Sequence, residues 1–270
     1  MDLKIPPIQD IDLFRDFLDE QADRYNTIDF IKDDPVQMAH RFRSKPDIEI
    51  AAFITATISW GNRKSILADA QKIFDWMGNA PHDFVINFEV SQMKDFRHNS
   101  VHRTFNREDL QFFVQALQKL YRRLDSMERL FSPAENEHNY YHAIERFRAA
   151  FFEDEPAHRA IKHVSSPYKN SAAKRLMMFL RWMIRRDKRG VDLGLWLKLP
   201  ACKLSIPLDV HTGNISRQLQ LLRRKQNDWK AVEELDAIIR QFDAEDPAKY
   251  DFALFGLGVS GALKIEWYEK

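Results

Sequence analysis

Cysteine is almost missing from this chain: Cys202 stands alone among 270 residues. A single thiol excludes an internal disulfide and a cysteine-ligated iron–sulfur cluster. Glycine (8 residues) and proline (11 residues) are too scarce for an all-β or doubly wound fold rich in tight turns. No apolar run approaches the roughly 18 residues of a membrane span. The opening "MDLKIPPIQD" lacks the basic-then-apolar pattern of a secretory signal. A large overall charge is absent too, the net value being +1. Together these absences lead us to expect a soluble, cytoplasmic, bacterial protein without a membrane partner.

What is present is material for a core. Apolar residues make up 44% of the chain and aromatics 12%. Charge is uneven beneath its near-zero sum. From Ala157 to Lys225 there are 16 Lys and Arg against 3 Asp and Glu. Such a surplus points to a surface facing a polyanion, or to a set of solvated helix faces.

Helical spacing dominates. "IQDIDLFRDFLDEQADRY" places Ile11, Phe14 and Leu18 on one face. "PDIEIAAFITATISWGN" is apolar all round, which predicts a buried helix ending near Gly61, with Asp47 and Glu49 at its positive end. "KSILADAQKIFDWMG" follows, stopping at Gly78. "NREDLQFFVQALQKLYRRL" opens on a cap at Asn106 and aligns Leu110, Phe113, Leu117, Leu120 and Leu124. Further amphipathic segments start near Asn136, Ser171, Asp209, Asp228 and Asp246. The expectation is an all-α fold of nine or ten helices with no repeat or flexible linker.

Two segments carry candidate chemistry. In "SSPYKNSAAKRLMMFLRWM" a loop of small residues runs into a helix whose first turn holds Lys174 and Arg175. Unpaired N–H groups at a helix start can hold a phosphate, and Asn170 tolerates the left-handed conformation a tight turn needs. In "IPLDVHTGN", Asp209 sits at a helix start. It can cap that helix, worth roughly 1 kcal/mol, or serve as a catalytic carboxylate that stabilises a cation. A lysine paired with such an aspartate makes an amine nucleophile and its electrostatic partner.

Taken together, these strings resemble the helix–hairpin–helix DNA glycosylase superfamily, the clan of endonuclease III and the 8-oxoguanine glycosylases. "PLDVHTGNISRQLQL" resembles its aspartate-bearing loop and helix, with Asp209 on the essential carboxylate and His211 two residues on. "NSAAK" resembles the hairpin string Gly-X-Gly-X-Lys, with Lys174 on the nucleophile and Asn170 and Ala172 in place of the glycines. "IEIAAFITATISWGNRKSILADAQKIF" resembles the early buried helix and its successor. The interval from Lys174 to Asp209 is 35 residues, longer than in most of the clan and similar to the archaeal 8-oxoguanine branch. Across most of its length the chain is most similar to an uncharacterised bacterial family distantly related to that clan.

The resemblance implies a two-lobed helical module spanning 1–270: one lobe over about 62–190 with a hairpin near 165–175, the other over 1–61 plus 191–270, and a cleft between them. It implies a DNA-repair enzyme that excises an oxidised purine from double-stranded DNA, with possible AP-lyase activity and no cofactor. Lys174 would attack the sugar and Asp209 would stabilise the resulting cation. Trp60, Asn62, His211, Phe252 and Phe255 would form the base pocket. Asn170, Ser171, Ala172 and Ala173 would grip one phosphate through backbone amides, with Lys169, Arg175, Arg185 and Arg186 adding attraction. The alternatives are a catalytically inactive DNA-binding protein on the same scaffold, or a helical protein-interaction module. The histidine pairs His98/His102 and His138/His142 have zinc-like spacing but no third ligand nearby, so we expect surface histidines and no metal. Cys202 reads as a buried hydrophobe.

Overall fold

The computed structural model describes residues 5–6 and 8–261. Among them are twelve α-helices and one two-stranded hairpin, so the chain is all-α as its periodicity requires. The count exceeds nine or ten because α2 (Ile28–Ile31), α3 (Gln37–His40) and α6 (Pro81–Ile86) are too short to display a helical period. The longer elements are α1 (Ile11–Tyr25), α4 (Lys45–Ile58), α5 (Arg63–Trp76), α7 (Arg107–Arg123), α8 (Tyr141–Phe151), α9 (Lys174–Ile184), α10 (Val210–Gln218), α11 (Trp229–Phe242) and α12 (Tyr250–Ser260).

Local chemistry sets their starts. Asp10, Ser44, Asn62, Asn106, Asp209 and Asp228 each accept a backbone N–H from the first turn of the helix that follows. Asn106 adds a reciprocal box with Asp109. The apolar helix α4 stops at Ile58, three residues short of Gly61. The stripe in α1 buries Phe14 and Leu18 but leaves Ile11 exposed at the helix start.

Helix α4 lies at the centre, packed on α3, α5, α6 and α9. Its Phe53 meets Phe113, Phe147, Phe151 and Phe179 with ring centroids 5.4–5.7 Å apart. The generous aromatic content is thus concentrated where three helices converge on α4. Its Glu49 is fully buried, yet it accepts from the Tyr121 hydroxyl at 2.6 Å, Met127 N–H at 3.0 Å, Trp196 Nε1 at 2.7 Å and the Ser126 hydroxyl. These donors replace the water that a buried carboxylate gives up. They also tie α4 to the end of α7 and to the segment after α9. Elsewhere α12 packs on α1 and α10. A Cβ at Gly256 would lie 2.1 Å from the Tyr25 ring, so the close approach of α12 to α1 requires glycine there.

The basic surplus is partly spent inside. Arg181 is buried against Asp192 at 3.2 Å and against Asp251. Arg185, read from sequence as a DNA-backbone contact, is buried too. It bonds Asp187 at 2.6 Å, Asp246 at 2.8 Å and Asp192 at 3.2 Å. Three carboxylates hold that guanidinium, so Arg185 is withdrawn from any backbone role; Arg186 beside it is exposed. Arg189 and Arg224 pair with Asp23 and Asp228.

The stretch "HNSVH" is not helical. It leads into the hairpin of β1 (Ser100–His102) and β2 (Phe105–Asn106). His98, His138 and His142 are exposed, but His102 is buried, contrary to its reading as a surface residue. Cys202 is half-buried rather than fully enclosed. Among the described residues no group of three or more His, Cys, Asp or Glu could hold a metal ion, and no helix is long and apolar enough to cross a membrane.

Candidate functional site

The turn before α9 is built from hydrogen bonds. Ser166 accepts the Lys169 N–H through its hydroxyl oxygen at 3.3 Å, and Asn170 N–H reaches the Pro167 carbonyl at 2.7 Å. Asn170 then turns left-handed, with φ 61°. Its side chain donates to Asp228 at 3.0 Å and its carbonyl accepts Trp229 N–H at 3.2 Å, fastening the turn to the start of α11. The second left-handed residue is Ala173, with φ 47°. An alanine pays roughly 1–2 kcal/mol for that conformation. The strain sits immediately before Lys174, at the start of a helix that no side chain caps.

This turn modifies the reading of Asn170–Ala173 as a row of phosphate-gripping amides. Asn170 N–H serves Pro167, Ser171 N–H serves the Ser166 carbonyl at 3.1 Å, and Ala173 N–H serves the Ser171 hydroxyl at 3.2 Å. Among the described residues no partner accepts the N–H of Ala172, itself a buried residue, and no side chain caps the first turn of α9. Lys169 is exposed at the tip. Arg175 points the other way. Its guanidinium lies 4.7 Å from the centre of the Trp60 ring and donates to the Thr57 carbonyl, and burial lowers its pKa to about 10. Arg175 is therefore a wall residue and not a backbone contact.

Lys174 and Asp209, 35 residues apart in sequence, meet. Lys174 Nζ stands 3.8 Å from Asp209 Oδ2, both side chains being partly exposed. The other carboxylate oxygen, Oδ1, accepts Thr212 N–H at 2.9 Å. One oxygen thus caps α10 while its twin faces the amine. At 3.8 Å the pair is attractive but beyond hydrogen-bond length, which leaves the amine free to approach another atom.

Both residues line a cavity of about 1100 Å³. Trp60, Asn62, His211, Phe252 and Phe255 line it as well. Each takes its place differently. Trp60 is half-buried at the end of α4, packed on the core while facing the cavity. Asn62 caps α5 through its side-chain oxygen. His211 is exposed at the rim. Phe252 is fully buried, held between Phe30 and the Arg181 guanidinium, and forms only the inner wall. Phe255 is half-buried beneath the Arg63 guanidinium at 4.8 Å.

Among the wall residues that sequence reasoning missed are Asp34, Arg63, Arg181 and Asp251. Burial raises the pKa of Asp34 and lifts that of Asp251 to about 6, with Arg181 opposing the shift in both. Arg63 was visible as the next letter after "WGN", and Asp251 as the neighbour of Phe252. Asp34 lies in no periodic segment, and nothing local marks it.

A family model described as "Protein of unknown function (DUF2400)" matches residues 34–260. The chain belongs to the DUF2400 family. The DUF2400 match contains every lining residue of the cavity except Phe30 and Asp33, and it contains both Lys174 and Asp209. No curated protein and no solved structure matches the chain.

Proposed function

We propose that this DUF2400 protein is a DNA-repair glycosylase with AP-lyase capacity, acting on an oxidised purine such as 8-oxoguanine in double-stranded DNA. The observation that carries the reading is the 3.8 Å approach of Lys174 to Asp209 inside a cavity walled by Trp60, Phe252 and Phe255. Such an enzyme must take the base out of the duplex and hold it among apolar and aromatic groups. The Lys174 amine attacks the sugar's anomeric carbon as the glycosidic bond breaks and the base departs with the bonding electrons. Asp209, aimed by its cap hydrogen bond, stabilises the cationic sugar. Trp60 stacks on the base and Asn62 meets its polar edge.

On this reading α8, the turn at 166–173 and α9 form the helix–hairpin–helix element, and the cavity is the cleft between two helical lobes. Ala172, the first turn of α9, Lys169 and Arg186 meet the phosphate backbone, so affinity falls steeply with salt. The bound protein sits in the bacterial nucleoid and belongs to base excision repair. The test is release of free base from duplexes carrying single oxidised purines. Base release that is lost in Lys174→Gln supports the reading; none across a panel of lesions sinks it.

The internal engagement of three hairpin amides favours a second reading, a DNA-binding protein on this scaffold without turnover. Salt-sensitive duplex binding with no base release would select it.

A further inference from the structure

Asp34 is only 8% exposed, yet it lines the cavity that holds Lys174 and Asp209. Its Oδ1 accepts the Val36 N–H at 3.0 Å. Its Oδ2 has no hydrogen-bond or ion-pair partner among the described residues, and it is not sealed inside the protein, so it opens on the cavity. Other ionic groups of this wall are engaged. Arg181 is held by Asp192 and Asp251, and Asp209 faces Lys174. A carboxyl withdrawn from bulk water with one oxygen unmatched is costly unless a partner reaches it. The cavity is the route by which one can.

The surroundings suit a flat, polar-edged partner. Phe30 lines the cavity and meets Phe252 and Phe255 edge-on at 5.3 and 5.9 Å. Pro35 and Trp60 line it as well. Asn62 spends its side-chain oxygen on the Ser65 N–H at 3.3 Å, which leaves its amide N–H groups as donors. The cavity therefore offers aromatic surface, an amide donor at Asn62 and a carboxyl oxygen at Asp34. Burial raises the pKa of Asp34, while the Val36 hydrogen bond and the charges of Arg181, Arg63 and Lys174 oppose the rise. A ring carbonyl beside a ring N–H suits both forms of the group. A carboxylate accepts the N–H, and a carboxyl O–H donates to the carbonyl.

We infer that Asp34 is a specificity-determining residue whose Oδ2 reads the lactam edge, a carbonyl beside an N–H, of a planar heterocycle held in the cavity. The Val36 N–H fixes the direction of the carboxyl, and the Asn62 amide gives the same carbonyl a second donor. A heterocycle without this edge leaves Oδ2 unmatched, which is how a polar site rejects an analogue. That the heterocycle is a purine rests on the glycosylase reading; the choice of edge does not.

Hypoxanthine and purine separate the edge from the ring system, since hypoxanthine carries the lactam and purine does not. Each is titrated into the full chain and followed by amide NMR. Hypoxanthine should bind about tenfold more tightly than purine, the worth of roughly one hydrogen bond, and should move the Val36 amide signal. Equal affinities, no binding of either base, or a Val36 signal that stays still overturns the inference. Asp34→Ala, checked for a cooperative thermal melt, should bind the two bases alike. A preference for hypoxanthine kept in that variant overturns the role of Asp34. Should the variant fail to fold, the wild-type preference and the Val36 signal decide alone. Base release from duplexes carrying oxidised purines is scored separately. Release without a hypoxanthine preference sinks the Asp34 inference and leaves the glycosylase reading standing; the preference without release does the reverse.

Discussion

Asp209 divides its two oxygens between two tasks: Oδ1 takes the Thr212 N–H at 2.9 Å, and Oδ2 faces the Lys174 amine at 3.8 Å. The cap fixes the direction of the carboxylate, and that direction is into the cavity. Capping and catalysis are therefore not competing roles for this residue.

Asparagine caps as well as aspartate does, while alanine does not. Asp209→Asn should therefore keep Tm within about 1 °C of wild type, whereas Asp209→Ala should lose about 1 kcal/mol, or roughly 2–4 °C. Both should lose base release and lysine adduct formation by a factor of about 10² or more if the charge stabilises the transition state. Thermal melts set beside single-turnover rates check this. Retained activity in Asp209→Asn would show that only the cap matters.

Ala173 holds a left-handed conformation at φ 47° that glycine adopts without strain. Relief of roughly 1–2 kcal/mol, less the entropy cost of glycine, should make Ala173→Gly more stable by about 0.5–1 kcal/mol, a Tm rise of about 2 °C. Calorimetry reads the result. An unchanged or lower Tm would mean that the methyl group's packing outweighs the strain.

Helical class and caps were legible because 3.6-residue spacing and residues such as Asn106 and Asp209 act locally. The Lys174–Asp209 site was legible through short strings that resemble a known clan. The interior role of Arg185 was not, since Asp246 lies 61 residues away and Asp187 and Asp192 close on the guanidinium only through the turn that follows α9. The left-handed residue at 173 was not anticipated, because aligning "NSAAK" on a glycine pattern fixes letters and not dihedral angles. The burial of His102 depended on Asp69, 33 residues away, and on a backbone carbonyl. Only tertiary structure brings those acceptors together.

Asp236 is buried on α11, where it accepts from the Ser205 hydroxyl, and burial raises its pKa from 3.8 to about 6. Between pH 4 and 6 the folded state then binds a proton that the unfolded state has released. Stability falls as pH rises through this window, by up to about 3 kcal/mol for this group. Asp236→Asn removes the titration. The stability of the variant relative to wild type should therefore climb from pH 4 to pH 7, as measured by urea unfolding at each pH. A difference that is flat with pH would contradict the raised pKa.

The central claim is that Lys174 acts as an amine nucleophile beside Asp209. Borohydride trapping on duplexes carrying 8-oxoguanine or an abasic site tests it most directly. The expected result is a covalent protein–DNA adduct that forms with the wild-type chain, disappears in Lys174→Gln and is strongly reduced in Asp209→Asn. An adduct that persists in Lys174→Gln, or none with the wild-type chain on either duplex, would contradict it.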